Sequence, residues 1–83
     1  MTVAAGWIQD RWIFSELPEQ SGKYWIDNNW IWGPDGAADM TTGYWITAGW
    51  ILGPDGAKDA TTGYYIADGW IWGPEQKLPF VRR

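Results

Sequence analysis

The sequence predicts an all-β protein built from four tandem β-hairpins, eight short strands in total. These form either a hairpin stack, as in a solenoid, or a small closed meander. Three observations carry this prediction. A unit of about 20 residues recurs, since Tyr24-Trp25-Ile26 returns as Tyr44-Trp45-Ile46 and Tyr64-Tyr65-Ile66. Trp30-Ile31-Trp32-Gly33-Pro34 returns at the same step as Trp50-Ile51-Leu52-Gly53-Pro54 and Trp70-Ile71-Trp72-Gly73-Pro74. Such a period marks units that cannot bury their apolar face alone. Within each unit, two apolar triplets are joined by turn-forming residues, and a Gly-Pro pair ends the second triplet because proline cannot donate to a ladder.

The elements follow in order. Trp7-Ile8-Gln9-Asp10-Arg11-Trp12-Ile13-Phe14 is a degenerate first hairpin that keeps the step between its two tryptophans. Its connector, Ser15 to Lys23, is shorter than the later ones and lacks Gly-Pro-Asp-Gly. An atypical end unit is expected where only one neighbour needs covering. In the three full repeats, Asn28-Asn29, Ala48-Gly49 and Asp68-Gly69 suit two-residue turns of the primed type, which require positive φ. Asp35-Gly36 and Asp55-Gly56 complete a turn after each proline. The tail, Glu75 to Arg83, carries Lys77, Arg82 and Arg83. Pro79 opposes a helix there, so the tail is expected to cap the array through Leu78, Phe80 and Val81. The chain is thus a single repeat domain over 1–83, with the first hairpin at 6–15, repeats at 22–34, 43–54 and 63–74, and a capping tail at 75–83.

Two-residue turns fix the register. Asp27 then opposes Trp30, Ile26 opposes Ile31, Trp25 opposes Trp32, and Tyr24 faces Gly33. Opposed residues share a side, and successive residues alternate. Each hairpin therefore puts an isoleucine pair on one face: Ile8 with Ile13, Ile26 with Ile31, Ile46 with Ile51, and Ile66 with Ile71. The other face carries the aromatics. An ordinary hairpin exposes one polar face, but here both are apolar. Burying one large side chain is worth roughly 1.5–3 kcal/mol, so neither face should stand bare. The narrow isoleucine face suits the inner core. The aromatic face must meet neighbouring repeats, another subunit or a ligand.

Composition narrows the function. The chain has 83 residues, 18% aromatic, with 9 Trp and a net charge of −4. Nine indoles are too many to hide in so small a monomer, so some should remain exposed. The negative balance disfavours nucleic acid. Cysteine and histidine are absent, which removes thiolate ligands and the commonest general base. No nucleophile pair or phosphate loop is present, so the chain is read as not an enzyme, with no cofactor. No stretch reaches about 18 apolar residues, so no membrane insertion is expected. The first residues, Met1 to Gly6, do not read as a Sec signal. The expectation is a cytoplasmic protein or one released by a non-Sec route, such as with a phage particle.

The aromatic face is the main binding candidate. Flat indole and phenol rings stack on sugars and attract quaternary ammonium groups. The candidate residues are Trp25, Trp30, Trp32, Trp45, Trp50, Tyr65, Trp70 and Trp72. The acidic loops come second. Asp35, Asp39, Asp55 and Asp59 recur in Gly-containing connectors, and repeated carboxylates can hold calcium. The competing reading is that Asp after Pro serves the turn, and that Asp39 and Asp59 bond their own backbone two residues on. No metal is assigned.

Trp50-Ile51-Leu52, the Gly56-Ala57 loop, Thr62-Gly63 and the following Tyr64-Tyr65 resemble the choline- and glucan-binding repeats of bacterial cell-wall proteins. The likeness covers most of residues 22–74, although the loop between successive glycines is two residues longer here. In that family, aromatics of adjacent repeats cage the ligand, and the resemblance makes Trp50, Tyr65 and Trp70 cage candidates. The Tyr-Trp-Ile…Trp-Ile-Trp-Gly-Pro wording is also similar to short hairpin repeats of uncharacterised bacterial and phage proteins. Together these readings predict a non-enzymatic module for carbohydrate or another cell-envelope ligand. The alternative is a self-assembling structural element, fibre- or spike-like, whose aromatic face is a homo-oligomer seam.

Overall fold

The structure, a computed structural model, describes residues 2–81. Met1, Arg82 and Arg83 lie outside that span, and with them two of the three basic residues of the tail. Eight strands run in order: β1 (Val3–Gln9), β2 (Trp12–Phe14), β3 (Tyr24–Asp27), β4 (Trp30–Trp32), β5 (Thr41–Thr47), β6 (Trp50–Leu52), β7 (Thr61–Ala67) and β8 (Trp70–Gly73). They form a closed antiparallel meander in sequence order, with β8 pairing back onto β1. Of the two layouts the repeats allow, the chain takes the barrel, which leaves no unpaired edge.

The hairpin registers are those the turns require. Ile8 opposes Ile13, Ile26 opposes Ile31, Ile46 opposes Ile51, and Ile66 opposes Ile71. The turns use the predicted backbone: φ is 52° and 66° at Asn28 and Asn29, 51° and 83° at Ala48 and Gly49, and 53° and 78° at Asp68 and Gly69. Ala48 is the misfit, because an alanine Cβ crowds its carbonyl in the left-handed region at a cost of roughly 1–2 kcal/mol, whereas Asn tolerates it. Ala48→Asn should therefore raise stability by about 0.5–1 kcal/mol in urea unfolding, and Ala48→Val should lower it.

The seams between hairpins explain the closure. The amide of Ile26 donates to the carbonyl of Arg11 at 2.9 Å, that of Ile46 to Asn29 at 2.7 Å, and that of Ile66 to Gly49 at 2.7 Å. The amide of Ile8 donates to Gly69 at 2.7 Å. Each acceptor is the second turn residue of the preceding hairpin, and the fourth bond crosses the closing seam. The same bond therefore recurs at all four seams, including the one that closes the barrel.

Bulges supply the bend. Between Trp30↔Trp45 and Trp32↔Thr41, two steps along β4 span four along β5, and the same irregularity recurs between β6 and β7. Gly43 and Gly63 sit there at φ 84° and 82°. Thr62 pins its bulge with one hydroxyl, which donates to the Ile51 carbonyl at 2.5 Å and accepts from the Tyr64 amide at 3.1 Å. Thr42 makes the equivalent bonds to the Ile31 carbonyl and the Tyr44 amide. The repeated Thr-Thr-Gly is thus strand with a built-in kink, so β5 and β7 start at Thr41 and Thr61, upstream of the 43–54 and 63–74 spans expected for these hairpins.

Inside, Ile13, Ile31, Ile51 and Ile71 are fully buried, with Ile8, Ile26, Ile46 and Ile66 packed against them. Tyr24 and Tyr64 are buried as well, and Tyr44 packs on the same core. The first hairpin has Gly6 and Ser15 where the others have Tyr and Gly, so the tyrosine's share of the core is missing there. The tail fills that space: a Cβ on Gly6 would lie 3.4 Å from a Leu78 methyl, and Leu78 and Phe80 are 1% and 2% exposed. The Phe80 ring meets those of Tyr24 and Tyr44 edge-on at 5.2 and 6.3 Å. The Tyr64 hydroxyl donates to the Lys77 carbonyl at 2.7 Å, and burial beside Glu75 pushes its pKa up. The buried Gln20 of the first connector accepts from the Leu78 amide at 3.3 Å. The tail is therefore a plug as much as a cap.

Candidate binding surface

The outer wall is where the aromatic face ends up. At every seam, the tryptophan that follows a turn lies directly opposite an aromatic of the next hairpin. Ring centroids are 5.4 Å apart for Trp12 and Trp25, 5.5 Å for Trp30 and Trp45, 5.4 Å for Trp50 and Tyr65, and 5.6 Å for Trp70 and Trp7. Their planes are inclined by 50–57°. Tilted pairs like these are worth about 0.5–1.5 kcal/mol each beyond the area they bury, so the belt is part of the scaffold. The rings touch, which leaves no gap for a third group between Trp50 and Tyr65. A ligand at those residues meets outer ring faces.

Exposure singles out three indoles. Trp30, Trp50 and Trp70 are 37%, 48% and 44% exposed, while Trp25, Trp32, Trp45, Tyr65 and Trp72 are half-buried. Trp72 lies opposite Tyr65, and Trp25 opposite Trp32. Trp7 and Trp12 stand outside the sequence-derived set, yet they complete two of the four pairs. Their five-residue step was the available signal; Trp12 meets Trp25 across consecutive strands, whereas the use of Trp7 depends on knowing that β1 returns to β8.

One open groove, about 460 Å³ in volume, lies beside this belt. It is lined by Trp30 and Trp32 of β4, Asp39 of the connector, Thr41, Thr42 and Gly43 of β5, and Pro54 and Asp55 after β6. Small-molecule clefts fall in this size range, with apolar walls and a few placed polar groups. Local structure holds each part. Trp32 Nε1 donates to the Asp27 carbonyl at 3.3 Å, which fixes the ring. The Asp39 carboxylate accepts from the Thr41 amide at 3.0 Å. Asp55 is carried by its own amide, which donates to the Gly43 carbonyl at 2.7 Å. Thr41, Thr42, Gly43, Pro54 and Asp55 belong to the β5–β6 hairpin, so the groove spans the seam between two hairpins. A second crevice, lined by Trp7, Trp70, Ser15, Leu17 and Gln76 among others, measures about 20 Å³, room for little more than one water.

The aspartates of the connectors behave as turn residues. Asp59 accepts from the Thr61 amide at 3.0 Å just as Asp39 does from Thr41, and that bond holds the Asp59 carboxyl below its usual range. Among the described residues, no group of three or more His, Cys, Asp or Glu is placed to hold a metal ion. Asp35 does not line the groove. Comparison of the chain with protein-family models, with curated proteins and with solved structures found no match.

Proposed function

We propose that this protein is a non-enzymatic binding module that takes carbohydrate, as presented by a cell envelope, in the groove beside Trp30 and Trp32. The observation that carries the reading is the pairing of indole walls with carboxylates and a hydroxyl in one open cleft. A pyranose has the matching chemistry, a C–H face for an aromatic wall and hydroxyls for Asp and Thr acceptors. Trp30 is held at its seam by Trp45, so it offers a rigid face at little entropic cost.

Trp30→Ala should weaken glycan binding by at least about ten-fold, in line with about 1–3 kcal/mol for loss of one stacking ring. The readout is tryptophan fluorescence against a glycan panel, with circular dichroism to show that the barrel remains. A panel in which no glycan shifts the spectrum would overturn the reading.

Self-assembly is the second reading. Trp50 and Trp70 are more exposed than Trp30 and lie outside the groove, so they remain for a seam between copies. A dimeric or trimeric mass in solution that Trp50→Ala returns to monomer favours this reading.

A further inference from the structure

We propose that the seam between β6 and β7 carries a second, weaker sugar site, which makes the barrel bivalent. The inference rests on the carbohydrate reading above and adds the number of sites and their order of strength. The groove is built on the β4–β5 seam, and the β6–β7 seam repeats its frame part by part. Trp50 meets Tyr65 at 5.4 Å with planes inclined by 57°, as Trp30 meets Trp45 at 5.5 Å and 50°. Leu52 lies opposite Thr61 beyond the bulge, as Trp32 lies opposite Thr41. The Gly53 amide donates to the Ala60 carbonyl at 2.8 Å, and the Gly33 amide donates to the Met40 carbonyl at the same distance. Asp59 accepts from the Thr61 amide at 3.0 Å, as Asp39 does from Thr41. A proline closes the far side in both. A Cβ built on Gly63 would stand 3.8 Å from Pro74, and one on Gly43 would stand 3.6 Å from Pro54. Trp50 is also the barest of the three exposed indoles, at 48%, and the first groove does not use it.

The other two seams depart from this frame. Before β3, Lys23 precedes Tyr24, where Gly43 and Gly63 precede Tyr44 and Tyr64. At the closing seam, Ala4 lies opposite Trp72, where a threonine lies opposite Trp32 and Leu52. The count is therefore two. Their order follows from one substitution, since Leu52 stands where the groove has Trp32. An aliphatic side chain has no flat face to stack on a ring, and loss of one stacking partner weakens binding about ten-fold or more. Two sites on one rigid barrel engage a long glycan together, and its affinity then exceeds that of either site alone.

The test is a two-dimensional NMR titration of the indole N–H signals of the whole protein. The probes are tetrasaccharides of glucose, galactose, mannose and N-acetylglucosamine. With the sugar that binds, the Trp30 and Trp32 signals should move first. The Trp50 signal should move in a separate saturable phase at about ten-fold higher sugar or more. Trp30→Ala should abolish the first phase and keep the second. Leu52→Trp should strengthen the second phase by about ten-fold, with circular dichroism to show that the barrel remains. A Trp50 signal that stays still, or that follows the first phase and vanishes with it in Trp30→Ala, overturns the inference and leaves sugar binding standing. A Leu52→Trp variant with an unchanged second phase overturns it too. So does an oligomer that Trp50→Ala returns to monomer, since that indole is then spent on a subunit seam. If no tetrasaccharide moves any indole signal, both this inference and the carbohydrate reading fall.

Discussion

Phe80→Ala should destabilise the barrel by about 3–5 kcal/mol, the range for truncating a buried aromatic ring. A chain of this length has a total stability of roughly 4–12 kcal/mol, so the variant sits near the edge of folding. The reason lies in the fourfold plan and the place where it fails. Three hairpins bring a tyrosine to the interior, Tyr24, Tyr44 and Tyr64, while the first has Gly6 at that position. Phe80 and Leu78 come from the far end of the chain to fill the gap, and Phe80 is 2% exposed. Its ring contacts run to two different hairpins, so its loss opens a cavity that collapse of one element cannot close. Urea unfolding should show a lower midpoint with little change in slope. Phe80→Leu keeps most of the volume and should cost less than about 1.5 kcal/mol. A tail merely draped over the surface would make Phe80→Ala neutral to within about 0.5 kcal/mol, and that result would refute the plug.

What was legible in the sequence is what a single hairpin decides. Asn28-Asn29, Ala48-Gly49 and Asp68-Gly69 fix turn length, turn length fixes register, and register sends isoleucine in and indole out. The closure was not legible, because it depends on the angle between hairpins. At two of the four seams the chain kinks at Gly43 and Gly63, and Thr-Thr-Gly reads locally as connector. Thr41 pairs with Trp32 and Thr61 with Leu52 beyond the bulge, and the Thr42 and Thr62 hydroxyls bridge the break in the ladder, which makes those residues strand. The candidate site divides in the same way. Trp30 and Trp32 were readable from alternation within one unit. The pairing of Trp30 with Trp45 and the arrival of Asp55 from the next unit both follow from the seam geometry. Trp7 was missed as a partner because its pair forms across the junction of the first and last strands, and Trp12 because its pair with Trp25 forms at a seam between hairpins.

Gly33→Ala should be among the most damaging single methyl additions in the chain, at about 2–6 kcal/mol, the sum of two separate costs. The first is conformational. Gly33 sits at φ 143°, a region that residues with a Cβ rarely adopt, worth about 1–3 kcal/mol. The second is steric. A Cβ built there would run into a Tyr24 ring carbon and stand 2.8 Å from the Lys23 carbonyl oxygen. The tyrosine is buried and its ring meets Phe80 edge-on, and the carbonyl accepts from the Asp35 amide at 2.8 Å. Neither neighbour can give way without disturbing the plug or the connector. Overpacking of this sort typically adds about 1–3 kcal/mol. Gly36→Ala separates the two costs, because Gly36 has φ 89° with nothing within 4 Å of a built Cβ. It should lose only the conformational share, about 1–3 kcal/mol. If the two variants unfold at the same urea concentration, the ring over Gly33 is not a close contact. The reading of tyrosine, glycine and tail as one packed unit would then fail.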